Sequence, residues 1–487
     1  MSFKGLSGGI YKPLAENDVE RIHEASLTIL EKTGFTYESG LDGTLVMLAS
    51  AGAHVDGEAS RIYFPRDLVM AQTARAPARV TLYSRDGRND LDLTGDKVHL
   101  GTGGAAVNIL DLETGDLRPS TLNDLYQLGR LVDRLENIHF FLRPCIPTDI
   151  PVTEYDINAC YAGLKSTAKH VMSGATDVSG FRRVVELASI VADGLDQLQA
   201  RPFISTITSF AISPLKLCTQ STLIMQETVR NRLPVVLSAA PMSGSTSPIT
   251  MAGTLAQLHA EQLAGICICQ LTHPGAPLLY GGIPGRANLV SMGYLGGSVE
   301  CGMMNAAIHQ LANHIQVPNY NSSGLTDSKI PDAQAGWEKA ATTLLAAMGG
   351  SNFVHHAAGM LESMLTVAYE QYVIDDEIIA MSGRVLKGID VDAEHLALDV
   401  IDEVGPGGSF MIADHTLDHL RSEYYLGNGL TDQKDRELWE KEGALDARAR
   451  GRKIAQKILA EEERSYIPPD LDRIIRDKFN ILLPQHG

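Results

Sequence analysis

The spacing of apolar runs in this 487-residue chain predicts an α/β fold, a (β/α)8 TIM barrel. Three observations carry that expectation. Short apolar runs recur at Val98–Leu100, His139–Leu142, His170–Met172, Phe203–Ile207, Val235–Leu237, Leu278–Tyr280, Pro318–Tyr320 and Phe353–His355. Segments with helical periodicity lie between them, among them Leu122–Leu135, Phe181–Ala192, Leu215–Arg230 and Met251–Leu271. The repeat of roughly 30 to 40 residues is what a parallel strand and its crossover helix require. A doubly wound open sheet is the alternative, but it usually has fewer strands and one glycine-rich phosphate loop.

Residues 1–97 read as an N-terminal α+β extension. An amphipathic helix begins near Glu16 and continues through Ser26–Thr33, and strand-like pieces follow in HVDGEASRIYFP and ARVTLYSRDGRNDLDL. Residues 98–370 carry the eight units. Helix starts are expected at Thr121 with Asp124, at Ser179, at Ser213 with Pro214 and at Ser247 with Pro248, because a short hydroxyl side chain can accept from an orphan amide of the first turn. Residues 371–487 read as a helical region of mixed charge, packed on the barrel or forming a subunit interface, so a homo-oligomer is expected.

Bulk properties narrow the function. With 59 acidic against 41 basic residues the formal charge is −18, a surface that repels phosphate backbones, so no nucleic-acid partner is expected. No run approaches the roughly 20 apolar residues that span a bilayer. The opening residues lack the apolar core of a signal peptide. The six cysteines at 145, 160, 218, 267, 269 and 301 form no CxxC pair and read as reduced, buried thiols. A cytoplasmic protein without membrane contact is expected.

In a barrel, polar groups at the carboxyl ends of the strands share one mouth. The candidates there are Gly103 and Gly104 after the first strand, Arg143 after the second, Tyr280, Gly281 and Gly282 in the sixth, and Tyr320, Asn321, Gly324 and Asp327 in the seventh. The eighth supplies His355, His356 and Glu362. Glycines at 103, 104, 281 and 282 would leave room for a large ligand to approach the backbone, or would mark tight packing. Tyr280 and Tyr320 offer ring faces to a cation or belong to the core. Arg143 either holds a substrate carboxylate or pairs with Asp177 or Glu136. Adjacent strand residues face opposite sides, so one of His355 and His356 is expected to point inward and the other outward. No convergent Cys/His set has metal-ligand spacing at these strand ends, and no metal site is expected there. There is neither a P-loop nor a GxGxxG helix opening.

The segments GLTDSKIPDAQAGWEK at 324–339, FPRDLV at 64–69, DLETGDLRPSTLNDL at 111–125 and HHAAGMLES at 355–363 resemble the trimethylamine methyltransferase superfamily, across essentially the whole chain. The resemblance implies a barrel enzyme that moves a methyl group from an amine to the cob(I)alamin of a partner corrinoid protein, with no tightly bound cofactor of its own. Archaeal members carry pyrrolysine at a position that falls at or near Lys329, and this chain has none. Members without it include enzymes for quaternary amines, and the resemblance then implies glycine betaine, the smallest of these, as the expected substrate and dimethylglycine as the product. Another betaine, trimethylamine, or a non-catalytic betaine-binding barrel are the alternatives. Asn321, Asp327, His355, His356 and Glu362 are then the expected catalytic residues. Arg143, Tyr280, Tyr320 and Gly324 would bind substrate, and Gly103, Gly104, Gly281 and Gly282 would face the corrin.

Overall fold

The computed structural model describes residues 5–485. Eight parallel strands follow in chain order: β1 Lys97–Thr102, β2 Phe141–Leu142, β3 Val171–Ser173, β4 Ile204–Thr208, β5 Val235–Leu237, β6 Leu278–Gly282, β7 Asn319–Ser322 and β8 Phe353–Ala358. From β2 to β8 each strand is hydrogen-bonded to the next, and β8 pairs in turn with β1. Between β1 and β2 the His139 amide donates to the Leu100 carbonyl at 2.8 Å. Leu6–Ser7 adds a short antiparallel strand to the start of β1.

After each strand comes a helix: α1 Leu122–Arg134, α2 Val152–Ser166, α3 Val178–Val191, α4 Thr219–Arg230, α5 Met251–Thr272, α6 Val299–His314, α7 Ala333–Gly349 and α8 Tyr369–Lys387. The Thr121–Asp124 pair forms the expected reciprocal cap of α1. Three other starts differ from expectation. Asp177, not Ser179, caps α3, accepting from the Gly180 amide at 2.8 Å. Residues 211–217 form a hairpin whose second strand pairs with Phe35–Tyr37, so α4 begins at Thr219 rather than Leu215. Pairing with the N-terminal sheet outweighs local helix propensity there. The Ser247–Pro248 pair stays in the loop before α5, where Ser247 bonds Thr254 at 2.9 Å.

One face of the sheet gathers Phe140, Leu142, Met172, Val236, Leu279, Tyr320 and Phe353 into a single cluster. Phe140 and Phe353, from its two ends, stack with centroids 3.7 Å apart. The hairpin of Val80–Leu82 and Leu91–Leu93 adds four apolar side chains to that cluster. Each such side chain contributes roughly 1.5–3 kcal/mol by leaving water. The other face packs on the helices, so the strands are buried on both sides, as parallel strands require.

Residues preceding β1 form helices Glu16–Thr28, Asp42–Ser50 and Arg66–Thr73 with a small sheet of Phe35–Tyr37, Arg61–Tyr63 and His54–Asp56. Beyond α8, helix Ala447–Leu459 packs on α8 through Gly451 and Ala455, and Arg448 pairs with the buried Glu370 at 3.0 Å. The repeat thus runs to Lys387, across the boundary expected at 370. Among the described residues no helix is long and apolar enough to cross a membrane.

Candidate active site

The carboxyl ends of β7 and β8 bring together a set of buried polar groups, among them Asn321, Ser322, Ser323, His355 and His356. Tyr320 and Ser322 alternate with Asn319 and Asn321 along β7, and the alternation sorts their roles. Tyr320 lies in the inner cluster. Asn321 faces the opposite way, its amide donating to the Asn305 carbonyl of α6 at 3.1 Å and to the Ser351 hydroxyl. Expected as an orienting group in the mouth, Asn321 is instead a bridge to the helix layer. Tyr280 is turned outward by the same alternation on β6, and its hydroxyl meets His259 Nδ1 of α5 at 2.7 Å. It packs in the outer core rather than offering a face to ligand.

The two histidines do not split as expected. Ser322 is level with His355, and the register then shifts between Val354 and Ala358. His356 takes a left-handed backbone, φ 65°, within this irregularity. Both rings consequently lie side by side, centroids 4.0 Å apart. His356 Nε2 is 2.9 Å from the Gly104 carbonyl, which can only accept, so Nε2 carries the proton and Nδ1 accepts from the Ser322 hydroxyl at 2.7 Å. His355 has neither nitrogen hydrogen-bonded and is 1% exposed. Its ring stands edge-on to Tyr320 at 5.2 Å. Burial, then the neighbouring His356, pushes its pKa well below the ordinary histidine value. Burial takes His356 down to about 4. Both imidazoles are neutral near pH 7.

The four glycines expected to open the mouth are filled by the chain itself. A Cβ on Gly103 would stand 1.8 Å from His356 Cδ2, and one on Gly104 would stand 2.7 Å from the Arg143 carbonyl. On Gly281 it would meet the Tyr320 carbonyl at 1.8 Å, and on Gly282 the Leu258 side chain at 2.5 Å. Gly103 makes room for an imidazole, not for a ligand. Gly324, φ 79°, is likewise pressed against Ala357.

Asp327 and Glu362 knit two loops together. Asp327 accepts from the Gly296 amide at 3.1 Å and from the Ser363 hydroxyl. Glu362 accepts from the Thr366 hydroxyl at 2.8 Å, and its amide donates to the Ser328 carbonyl at 2.7 Å. Glu362, Ser363 and Met364 all take positive φ, an unusual run for residues with side chains. Lys329 is exposed and donates to the Asp327 carbonyl at 2.8 Å. Arg143 pairs with neither Asp177 nor Glu136. Its guanidinium donates to the hydroxyls of Ser173, at 3.2 Å, and Tyr155, at 2.5 Å. Its partners carry no charge.

Two features escape a reading by strand ends. Lys339 of α7 donates to the carbonyls of Gly324 and, at 3.2 Å, Met360, and lies 3.2 Å from Asp375 of α8. Asp375 also accepts from the Gly359 amide at 2.6 Å. Both sit mid-helix, away from the strand ends, although Lys339 closes the GLTDSKIPDAQAGWEK segment. Tyr294 sits in the loop after β6, its ring over Gly285 and Gly296. Burial raises its pKa well above the ordinary tyrosine value, with the carboxylate of Asp327 and the phenol of Tyr320 adding to the rise. Beside it, the loops after β5 and β6 enclose a cleft of about 750 Å³ lined by Ile249, Met251, Leu289, Leu295 and Met304. That volume is in the range of small-molecule sites.

Comparison with known proteins fits this architecture. The family model described as trimethylamine methyltransferase (MTTB) matches residues 6–480. A protein of Desulfitobacterium hafniense (strain Y51) named glycine betaine methyltransferase is 33% identical over 478 residues, 98% of this chain and 97% of that one. The trimethylamine methyltransferase MttB of D. hafniense (strain DSM 10664 / DCB-2) is 34% identical over 472 residues, covering 97% and 93%. The crystal structure of Methanosarcina barkeri monomethylamine methyltransferase (MtmB) superposes with a TM-score of 0.53 over 91% of this chain and 93% of that one, at 10% identity, a likeness of fold alone. The chain is a methyltransferase and belongs to the trimethylamine methyltransferase (MTTB) family.

Proposed function

We propose that this enzyme takes a methyl group from glycine betaine, releasing dimethylglycine, and passes it to the cob(I)alamin of a partner corrinoid protein. The fold that serves this is a closed (β/α)8 barrel extending through α8, with Phe140 on Phe353 and His139 on Leu100 supporting closure. The observation that carries the reading is His355: an inward, buried imidazole with two unpartnered nitrogens. Buried polar groups are normally satisfied, so an exception at strand ends points to a ligand.

The chemistry of the surroundings favours a quaternary ammonium. His355 and His356 are held neutral by burial, so neither repels a cation. Tyr320 and Tyr294 place aromatic rings in the same region, and a cation over such a face gains roughly 0.5–2 kcal/mol. The leaving group is a neutral tertiary amine, so no general acid is needed. The chain's work is placement in a dry site, where correct orientation supplies several kcal/mol. Arg143, whose own partners are hydroxyls, is the anchor for the betaine carboxylate, a task that trimethylamine would not require. Asp327, Glu362 and Gly324 shape the loop over the donor.

When docked, the corrinoid supplies the nucleophile that accepts the methyl group. The apolar cleft of Ile249, Leu289, Leu295 and Met304 suits a large, planar, mostly apolar ring better than the four glycines do. Calorimetry with glycine betaine tests the anchor: Arg143→Ala should weaken binding at least about tenfold, as loss of a charge-assisted pair implies. Unchanged affinity would remove the carboxylate-anchor role.

A further inference from the structure

We propose that the C-terminal arm carries a site for a 3d divalent cation of the zinc class, built by His395, Asp390 and Glu423. The arm is unusual in having no interior. Between Ser382 and Leu430 no residue is buried, although helices Ala393–Leu396, Leu398–Val404 and Asp414–Glu423 form within it. Apolar side chains such as Ile389, Val391, Met411 and Ile412 are 73–87% exposed. Burial therefore does not hold these helices together, and a polar clasp has to do more of the work.

The clasp is a gathering of histidine and carboxylate from three separate segments. His395 Nδ1 is 2.7 Å from Asp392 Oδ1. An ionised carboxylate only accepts, so that bond places a proton on Nδ1, and in the neutral ring the Nε2 lone pair is left for a metal. Nε2 then faces Asp390 Oδ2 at 4.0 Å and Glu423 Oε1 at 3.9 Å. Those separations are too long for hydrogen bonds. They are near what two ligands of one ion require: with bonds of about 2.0–2.2 Å, tetrahedral ligand atoms stand about 3.3–3.6 Å apart, and the ligand atoms of Asp390, His395 and Glu423 all lie within 4.8 Å of one another. A carboxylate behind the ligating histidine is the arrangement that fixes ring orientation at metal sites.

Charge points the same way. Asp390, Asp392 and Glu423 each bring a carboxylate oxygen within 4.0 Å of His395, while Arg384 reaches Glu423 at 4.0 Å and Lys387 donates to the Ser422 carbonyl at 2.8 Å. His419, one turn before Glu423 on the same helix, sits 5.3 Å from the His395 ring and pairs with Glu394 at 3.3 Å. An imidazole nitrogen with two carboxylate oxygens suits zinc and its neighbours better than magnesium or calcium, which favour all-oxygen shells. His395 keeps 23% of its side chain exposed, so solvent reaches the group and water can complete the shell. The site lies apart from the methyl-transfer residues, and its role is to clamp the arm.

The test uses untagged full-length protein, stripped with chelator and titrated with zinc against a competing chromophoric chelator. One zinc per chain is expected. His395→Ala and Glu423→Gln should each weaken it at least tenfold, and Asp392→Asn by about 10–100-fold, the usual effect of losing the carboxylate behind a ligand. Far-UV circular dichroism confirms that each variant is folded. Zinc should also slow proteolysis within residues 388–426 of the wild type and not of His395→Ala. Sub-stoichiometric zinc, equal affinity in His395→Ala, magnesium binding as tightly, or stoichiometric zinc without protection would each overturn the proposal.

Discussion

Lys339 and Asp375 lie 3.2 Å apart with neither side chain exposed, and between them they hold both loops that frame the candidate site. The ammonium reaches the carbonyls of Gly324 and Met360, and the carboxylate reaches the Gly359 amide. Burial raises Asp375 to about 6 and lowers Lys339, so the pair sits nearer neutrality than an exposed one would. Removing one partner leaves a buried group unpaired. Lys339→Met should cost about 3–5 kcal/mol in denaturant unfolding, and adding Asp375→Leu should recover much of it. A double variant whose loss is the sum of the two single losses would show that the pair is not coupled.

His355 gives the opposite signature. Because it makes no hydrogen bond in the folded chain, His355→Leu removes two unsatisfied polar atoms and should leave stability unchanged or higher. Methyl transfer should nevertheless fall by about a hundredfold or more, in line with the loss of an orienting group in an active site. A variant that is destabilised yet fully active per folded molecule would show the residue to be ordinary core.

Glycine replacement separates packing from space. Gly103→Ala drives a methyl group into His356, so it should cost about 1–3 kcal/mol and impair transfer. Gly336→Ala, in α7 with nothing within 4 Å of the new carbon, should be neutral or stabilising by up to about 1 kcal/mol. Similar melting temperatures for the two variants would contradict the geometry at Gly103.

Acid sensitivity follows from the buried imidazoles. His356 and His170 are each lowered to about 4 by burial, against 6.5 when unfolded. Between those values the unfolded chain binds more protons, so stability rises with pH across that window and is fully present above about 6.5. It is lost as pH falls towards 4, by at most about 3 kcal/mol per histidine. Denaturant midpoints measured from pH 7 to pH 4.5 should fall steadily, and His170→Asn should flatten the slope. A midpoint that holds steady across this range would mean these rings are protonated when folded.

Much of the fold was legible because the signals were local and repeated. Eight apolar runs at regular spacing identified eight strands, and the Thr121–Asp124 pair marked the start of α1. The helix start expected at Leu215 failed because pairing with Phe35–Tyr37, far away in sequence, decided the local structure. The site was half legible. Strand ends named His355, His356 and Tyr320, yet strand-end position alone put Asn321 and Tyr280 in the mouth, although alternation turns both towards the helices; the irregularity that brings the two histidine rings together broke the alternation expected of them. The pairing of Lys339 with Asp375 was not legible, since it depends on how α7 and α8 pack.

Methyl transfer from a quaternary betaine is what the buried histidines, the aromatic rings and Arg143 together predict. Under strictly reducing conditions, the enzyme mixed with a reduced corrinoid protein and glycine betaine should yield dimethylglycine in step with loss of the cob(I) absorbance, while trimethylamine yields no dimethylamine. Dimethylamine from trimethylamine with glycine betaine inert, or no transfer from any betaine tested, would contradict it.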